Sequence, residues 1–162
     1  MKVFSMIDPL SIATHPNLIA HMADNRKPNR TWYLLHVDEH VILADTTWFV
    51  YENKWRHYQI EFPIRGLSWY MDGIKNMSFE IPIDTSLSSM IVHNRAIIDG
   101  EALMLGRVYD AEGRGSGYAL TTLDRTERGL AKQYILSDEL LFDHGLMDLF
   151  EKVAEQIKSR TA

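Results

Sequence analysis

The chain has 162 residues, enough to bury a sizeable core as one domain, and its 46% hydrophobic and 24% charged fractions exclude a disordered chain and a membrane bundle alike. A formal net charge of −5 sets the overall field against phosphate backbones, so nucleic acid is not an expected partner. The absence of cysteine removes disulfides, thiolate metal sites and cysteine nucleophiles together.

The N-terminal run Met1 to Ile7 is apolar, but Asp8-Pro9 cuts it short of a signal-peptide core. No stretch approaches the roughly 18 apolar residues of a membrane span. The expectation is a soluble, cytoplasmic, single α+β domain over residues 1–162 that binds no cofactor. Asn29-Arg30-Thr31 and Asn76-Met77-Ser78 match the glycosylation sequon and read as chance in such a protein.

In chain order, Pro16 suits a first helical turn and predicts a short helix through Leu18-Ile19-Ala20-His21-Met22-Ala23, followed by a polar loop over 24–30. From residue 31 the pattern becomes β-branched and aromatic, predicting an antiparallel meander with strands at 31–37, 41–44, 48–51 and 55–62. In the last of these Tyr58, Ile60 and Phe62 alternate with His57, Gln59 and Glu61, which predicts one dry and one wet face. Leu67, Tyr70, Met71, Ile74 and Met77 recur at helical spacing, although Gly66 and Gly73 weaken that helix by roughly 1 kcal/mol each. Phe79, Ile81 and Ile83 predict a further strand, placed at an edge by Pro82.

Residues 89–110 fit either a hairpin about Asp99-Gly100 or a strand followed by a helix. Beyond the turn at Gly113 to Gly117, a second hairpin is expected from 118–123 and 130–136 around a turn at 124–129. The clearest element starts at Ser137, where Phe142, Leu146, Leu149, Phe150, Val153 and Ile157 trace the apolar stripe of an amphipathic helix that Gly145 can interrupt. No internal repeat shows in the sequence. The expected architecture is therefore an α+β fold: an antiparallel sheet, open or curled toward a barrel, with a short N-terminal helix and a C-terminal amphipathic helix packed on it.

Motifs that carry chemistry are few. His36, Asp38 and His40 would share a face on one long strand and offer a metal site, but Asp38-Glu39 is a natural turn that sends the two histidines to opposite faces. Gly115-Ser116-Gly117 lacks the spacing of a nucleophile elbow, and the same glycine run lacks the lysine of a P-loop. No catalytic residue is assigned, and an enzyme would need groups that converge only in three dimensions.

All four tryptophans, Trp32, Trp48, Trp55 and Trp69, precede Met71. Trp55 has the parity of His57, Gln59 and Glu61, so it falls on the face expected to be wet, where a tryptophan serves as an anchor for a protein partner or a wall for a flat ligand unless a second layer of the same domain covers it. Trp55, His57, Trp69 and Tyr70 are the candidate contact residues. The function expected is a non-catalytic protein-binding module of chaperone, inhibitor, immunity or adaptor type, acting on another protein or on a second copy. A small apolar ligand held in a helix-grip or barrel-like pocket is the alternative.

Overall fold

The computed structural model describes residues 1–76 and 90–161. Among these residues the chain forms β1 (Leu18–Ala23), β2 (Arg30–Val37), β3 (His40–Phe49), β4 (Lys54–Pro63) and α1 (Ile64–Asn76). It then forms β5 (Met90–Ile98), β6 (Glu101–Val108), β7 (Gly117–Glu127), β8 (Leu130–Ser137) and α2 (Leu146–Thr161). The fold is α+β, with two antiparallel four-stranded meanders, β1-β2-β3-β4 and β5-β6-β7-β8, each followed by a helix. The order of elements thus repeats where the sequence shows no repeat. There are two sheets rather than one, and they do not close into a barrel.

The segment expected to be the N-terminal helix is β1, which pairs antiparallel with β2 from Leu18 opposite Leu35 to Ala23 opposite Thr31. A six-residue helix has too few hydrogen bonds to offset its nucleation, whereas β2 offers a ready ladder. Only a 3-10 turn at Ile12–Thr14 precedes it. Asp45, Thr46 and Thr47, read as a break between two strands, instead continue β3 in register with both β2 and β4. The strand expected at 79–83 lies outside the described residues.

Asp99 and Gly100 both take positive φ (48° and 84°), the backbone of a type I′ turn, and β5 and β6 form the hairpin alternative. A second such turn, Arg128-Gly129 (53° and 80°), joins β7 to β8. Residues 124–127, expected in the turn, are part of β7, where the register shifts between Thr122 and Thr126. Ser137 Oγ accepts the Leu140 N–H (3.1 Å) at a π turn over Glu139–Asp143. Gly145, at φ 91°, breaks the path before α2 begins at Leu146. Phe142 therefore leaves the expected stripe and is 52% exposed.

The main core runs through both halves. Trp32, Leu34, Leu43, Ile60 and Phe62 of the first sheet meet Leu103, Leu105, Leu120 and Leu136 of the second, with Leu67 and Tyr70 of α1 and Phe150 and Val153 of α2. Gly66 permits this closeness, since a Cβ there would lie 2.8 Å from Leu103 Cδ1 and 3.2 Å from Phe62 Cδ2. The other face of the first sheet is dry as well: Ile12, fully buried, packs with Tyr33, Leu35, Ile42 and Ala44, flanked by Phe4 and Ile7. Gln59 and Glu61, expected on a wet face, are consequently 0% and 2% exposed.

Because Phe150 is 1% exposed within the shared core, Phe150→Ala is expected to cost about 3–5 kcal/mol in urea unfolding. A loss below about 1 kcal/mol would contradict this packing.

Candidate functional site

The outer end of the β3–β4 hairpin carries exposed apolar and aromatic side chains close together. In its last two rungs Trp48 pairs with Trp55 and Phe49 with Lys54, and residues 50–53 close the loop with Asn53 at φ 50°. Alternation sends Trp48, Trp55 and His57 to one face and Phe49, Arg56 and Tyr58 to the other. The Trp48 and Trp55 rings meet edge to face at 5.4 Å, and the Arg56 guanidinium lies 4.0 Å from the Phe49 ring centroid. Val50 is 65% exposed, Tyr51 101% and Trp55 39%.

At the base of this hairpin a cavity of about 380 Å³ is lined by Lys27, Arg30, Asp45, Arg56, His57 and Tyr58, among others. Asp45 accepts from Arg30 Nε (3.0 Å) and lies 2.6 Å from the Tyr134 hydroxyl. The Arg30 guanidinium stacks on Trp32 at 4.4 Å. Burial raises the pKa of Tyr134, with the neighbouring Asp45 carboxylate acting in the same direction, so its phenol stays protonated.

From His57 inward, the same strand builds a polar row. Gln59 Oε1 accepts from the Ile7 N–H (3.0 Å) and lies 2.8 Å from His57 Nε2, so that ring nitrogen carries the proton. Gln59 Nε2 donates to Ser5 O (3.2 Å) and to Glu61 Oε1 (2.8 Å), and Lys132 Nζ sits 2.7 and 2.9 Å from the Glu61 oxygens. His57 Nδ1 is buried without a hydrogen-bond partner. Burial lowers the pKa of His57, which keeps the ring neutral.

A second buried network joins the β1–β2 turn to the second sheet. The Asp24 carboxylate accepts from Arg26 through its backbone N–H, Nε and Nη2, and from Trp32 Nε1 (3.1 Å). Arg26 Nη1 in turn donates to Ser137 Oγ (2.8 Å). Burial of Asp24 works to raise its pKa, but the bonds from Arg26 and Trp32 outweigh it and bring the value to about 2.

Where β3 begins, His40 Nε2 lies 2.5 Å from Glu101 Oε2, and Arg125 Nε donates to Glu101 Oε1 (2.8 Å). The bulge in β7 aims Arg125 at this point, and the Phe4 ring packs 5.0 Å from His40. Beside them a cleft of about 820 Å³ opens between α1 and α2, with Pro63, Ile64, Leu67, Ala154 and Ile157 in its lining. Glu39, Asp99 and Glu155 line it too, with Arg65 and Lys158, and Arg65 pairs with Asp99 through Nε and Nη2.

Of the residues singled out in the sequence, Trp55 and His57 stand two apart on β4 at the hairpin end. Trp69 and Tyr70 belong elsewhere, on α1. The Trp69 ring is half-buried 5.2 Å from that of Tyr70, while Tyr70 is fully buried and donates its hydroxyl to Thr121 O (2.8 Å). A ring sealed in the core cannot meet a partner at the surface. His36 pairs with Val41 and Val37 with His40, so the Asp38-Glu39 turn puts the two histidines on opposite faces. Among the described residues no group of three or more His, Asp or Glu side chains is placed to hold a metal ion, and no helix is long and apolar enough to cross a membrane.

The sequence offered no local signal for Tyr51 or for the Asp24 network. No family model and no curated protein sequence matches this chain.

The folded pKa of Asp24 lies below its unfolded value of 3.8, so its contribution is present above that pH and is lost as pH falls through about 2. It amounts to about 2 kcal/mol, at 1.36 kcal/mol per pKa unit. Urea unfolding between pH 5 and pH 2 is expected to show that loss in the native sequence and a correspondingly flatter profile in Asp24→Asn.

Proposed function

We propose that the protein is a non-catalytic protein-binding module, of chaperone, inhibitor, immunity or adaptor type, whose contact surface is the outer end of the β3–β4 hairpin. The observation that supports this most is the juxtaposition of exposed Val50, Tyr51 and Trp55 on a hairpin whose base is anchored in two cores. Large rings held by a rigid scaffold lose little conformational entropy on binding, which makes them efficient anchors. Lys54 and Arg56 flank them and supply the polar rim that orients a partner. The buried ionisable groups, Asp24 with Arg26 and Glu101 with Arg125, are engaged with one another, which favours a structural role for them over a catalytic one.

Trp55→Ala is expected to cost no more than about 1 kcal/mol of stability, since the ring is partly solvated and its main aromatic contact is Trp48. A benzoylphenylalanine photocrosslinker at position 51 should give a discrete adduct that the Trp55→Ala background loses, with none from a crosslinker at Leu130, which is also well exposed. An adduct of twice the chain mass would identify the partner as a second copy. Equal labelling from position 130, or indifference to Trp55→Ala, would defeat the reading.

The cleft between α1 and α2 favours a second reading, a small apolar ligand, because its volume lies in the range of ligand pockets and its floor is an extension of the main core. Ala154→Trp would fill it. If an apolar dye such as 1-anilinonaphthalene-8-sulfonate binds the native protein there, that substitution should abolish its fluorescence gain, and an unchanged signal would place the dye elsewhere.

A further inference from the structure

Resting on the hairpin reading, the main-chain geometry at the hairpin end gives the mode of contact: we propose that the partner adds a strand to the first sheet, an extended polypeptide segment that pairs with Trp55 and His57 along the free edge of β4. β4 is the last strand of its sheet, and alternation decides which of its residues turn their hydrogen-bonding groups outward. Trp48 N–H donates to Asn29 O (3.0 Å), on the β2 side, and Ile64 N–H donates to Glu39 O (3.0 Å) at the far end of the β3–β4 pair. Even-numbered residues of β3 therefore face β2 and odd-numbered ones face β4, so Phe49 exchanges hydrogen bonds with Lys54 and Thr47 with Arg56. Trp55 and His57 consequently direct their N–H and C=O groups away from β3. Among the described residues these four groups have no hydrogen-bond partner.

This edge is also regular where the others are not. β1 breaks register between Leu18 and Ala20, β5 between Met90 and Val92, and β8 lies against a β7 that shifts between Thr122 and Thr126. Irregularities of this kind blunt an edge against pairing. β4 runs without a shift from Lys54 opposite Phe49 to Pro63 opposite His40. Its outer end is open to solvent, with Trp55 39% exposed and the side chains of Lys54 and Arg56 60% and 51%.

Strand addition requires no existing ion pair to break: Lys54 and Arg56 keep Glu52, because the new bonds are made by main chain. The added strand lies in the plane of the sheet, so its side chains alternate between the face of Trp55 and His57 and the face of Arg56 and Tyr58. A β-branched or aromatic side chain suits the place beside Trp55, and Lys or Arg is disfavoured beside Arg56. The same rule disfavours a second copy. Antiparallel self-pairing centred at Arg56 sets that residue opposite its own counterpart, and centring at Trp55 sets Lys54 opposite Arg56, so like charges meet in both registers. The segment therefore belongs to a different protein.

The probe is the peptide acetyl-Thr-Tyr-Thr-Val-Thr-amide, N-methylated at its second and fourth residues so that it keeps one hydrogen-bonding edge, with a control methylated at every residue. Each is titrated into the full chain while amide hydrogen exchange is followed by NMR. The first peptide is expected to slow exchange at Trp55 and His57 about tenfold or more, with Arg56, already bonded to Thr47, unchanged. Trp55→Pro removes the outward donor without touching the β3 ladder, and should weaken binding about tenfold beyond Trp55→Ala, which keeps that donor, with folding checked by circular dichroism. An equal response to the fully methylated control, or equal weakening by the two substitutions, would mean contact through side chains alone and would overturn the added strand while leaving the hairpin reading in place. Absence of protection with either peptide would also overturn it, since main-chain pairing tolerates varied side chains. The adduct from position 51 then decides separately whether the hairpin is the contact surface.

Discussion

Two edge strands that meet without sharing a ladder govern this molecule. β4 ends the first sheet and β8 ends the second, and where they approach, side chains rather than backbone complete the contacts: the Tyr134 hydroxyl lies 2.7 Å from Tyr58 O, and Gln133 N–H donates to the Tyr58 hydroxyl (3.0 Å). Glu61 and Lys132 add a charged bridge along the same line. Because exposed edge groups need partners, capping them with tyrosine hydroxyls satisfies them without continuing the sheet. At this seam the strands remain in two separate sheets.

The seam also explains the distribution of polar groups inside. Gln59 connects the N-terminal arm to β4, Glu61 connects β4 to β8, and Asp45 connects β3 to Tyr134, so each of these three side chains spans two pieces of chain. Buried polar groups are tolerable when their bonding capacity is met, and such rows fix relative placement more narrowly than apolar packing alone. The hairpin end lies just past the last of these ties, which leaves its aromatic rungs anchored at one end and solvated at the other.

Much of this was legible in the sequence where a single layer decides the outcome. The β-branched and aromatic alternation around Trp32 and Ile60 located β2 and β4, Asp99-Gly100 located a turn, and the spacing from Leu146 to Ile157 located α2. The parity of Trp55 correctly placed it on the face of His57 and Gln59. What failed needed knowledge of a second layer: Gln59 and Glu61 look solvated until the N-terminal arm is seen to bond Gln59 and Lys132 of β8 to meet Glu61, and Leu18 to Ala23 looks helical until β2 is present to pair with it. Asp24 and Arg26 read as loop residues because nothing local reveals that Trp32 and Ser137 will close around them.

The meander connectivity of both sheets bears on how the chain reaches this state. Every ladder joins strands adjacent in sequence, so each zips from a short turn with little loop-closure entropy, and the average separation of contacting residues within a sheet stays low. The main core, by contrast, draws on both halves at once, so local zipping of either sheet leaves its apolar face uncovered until the other is in place.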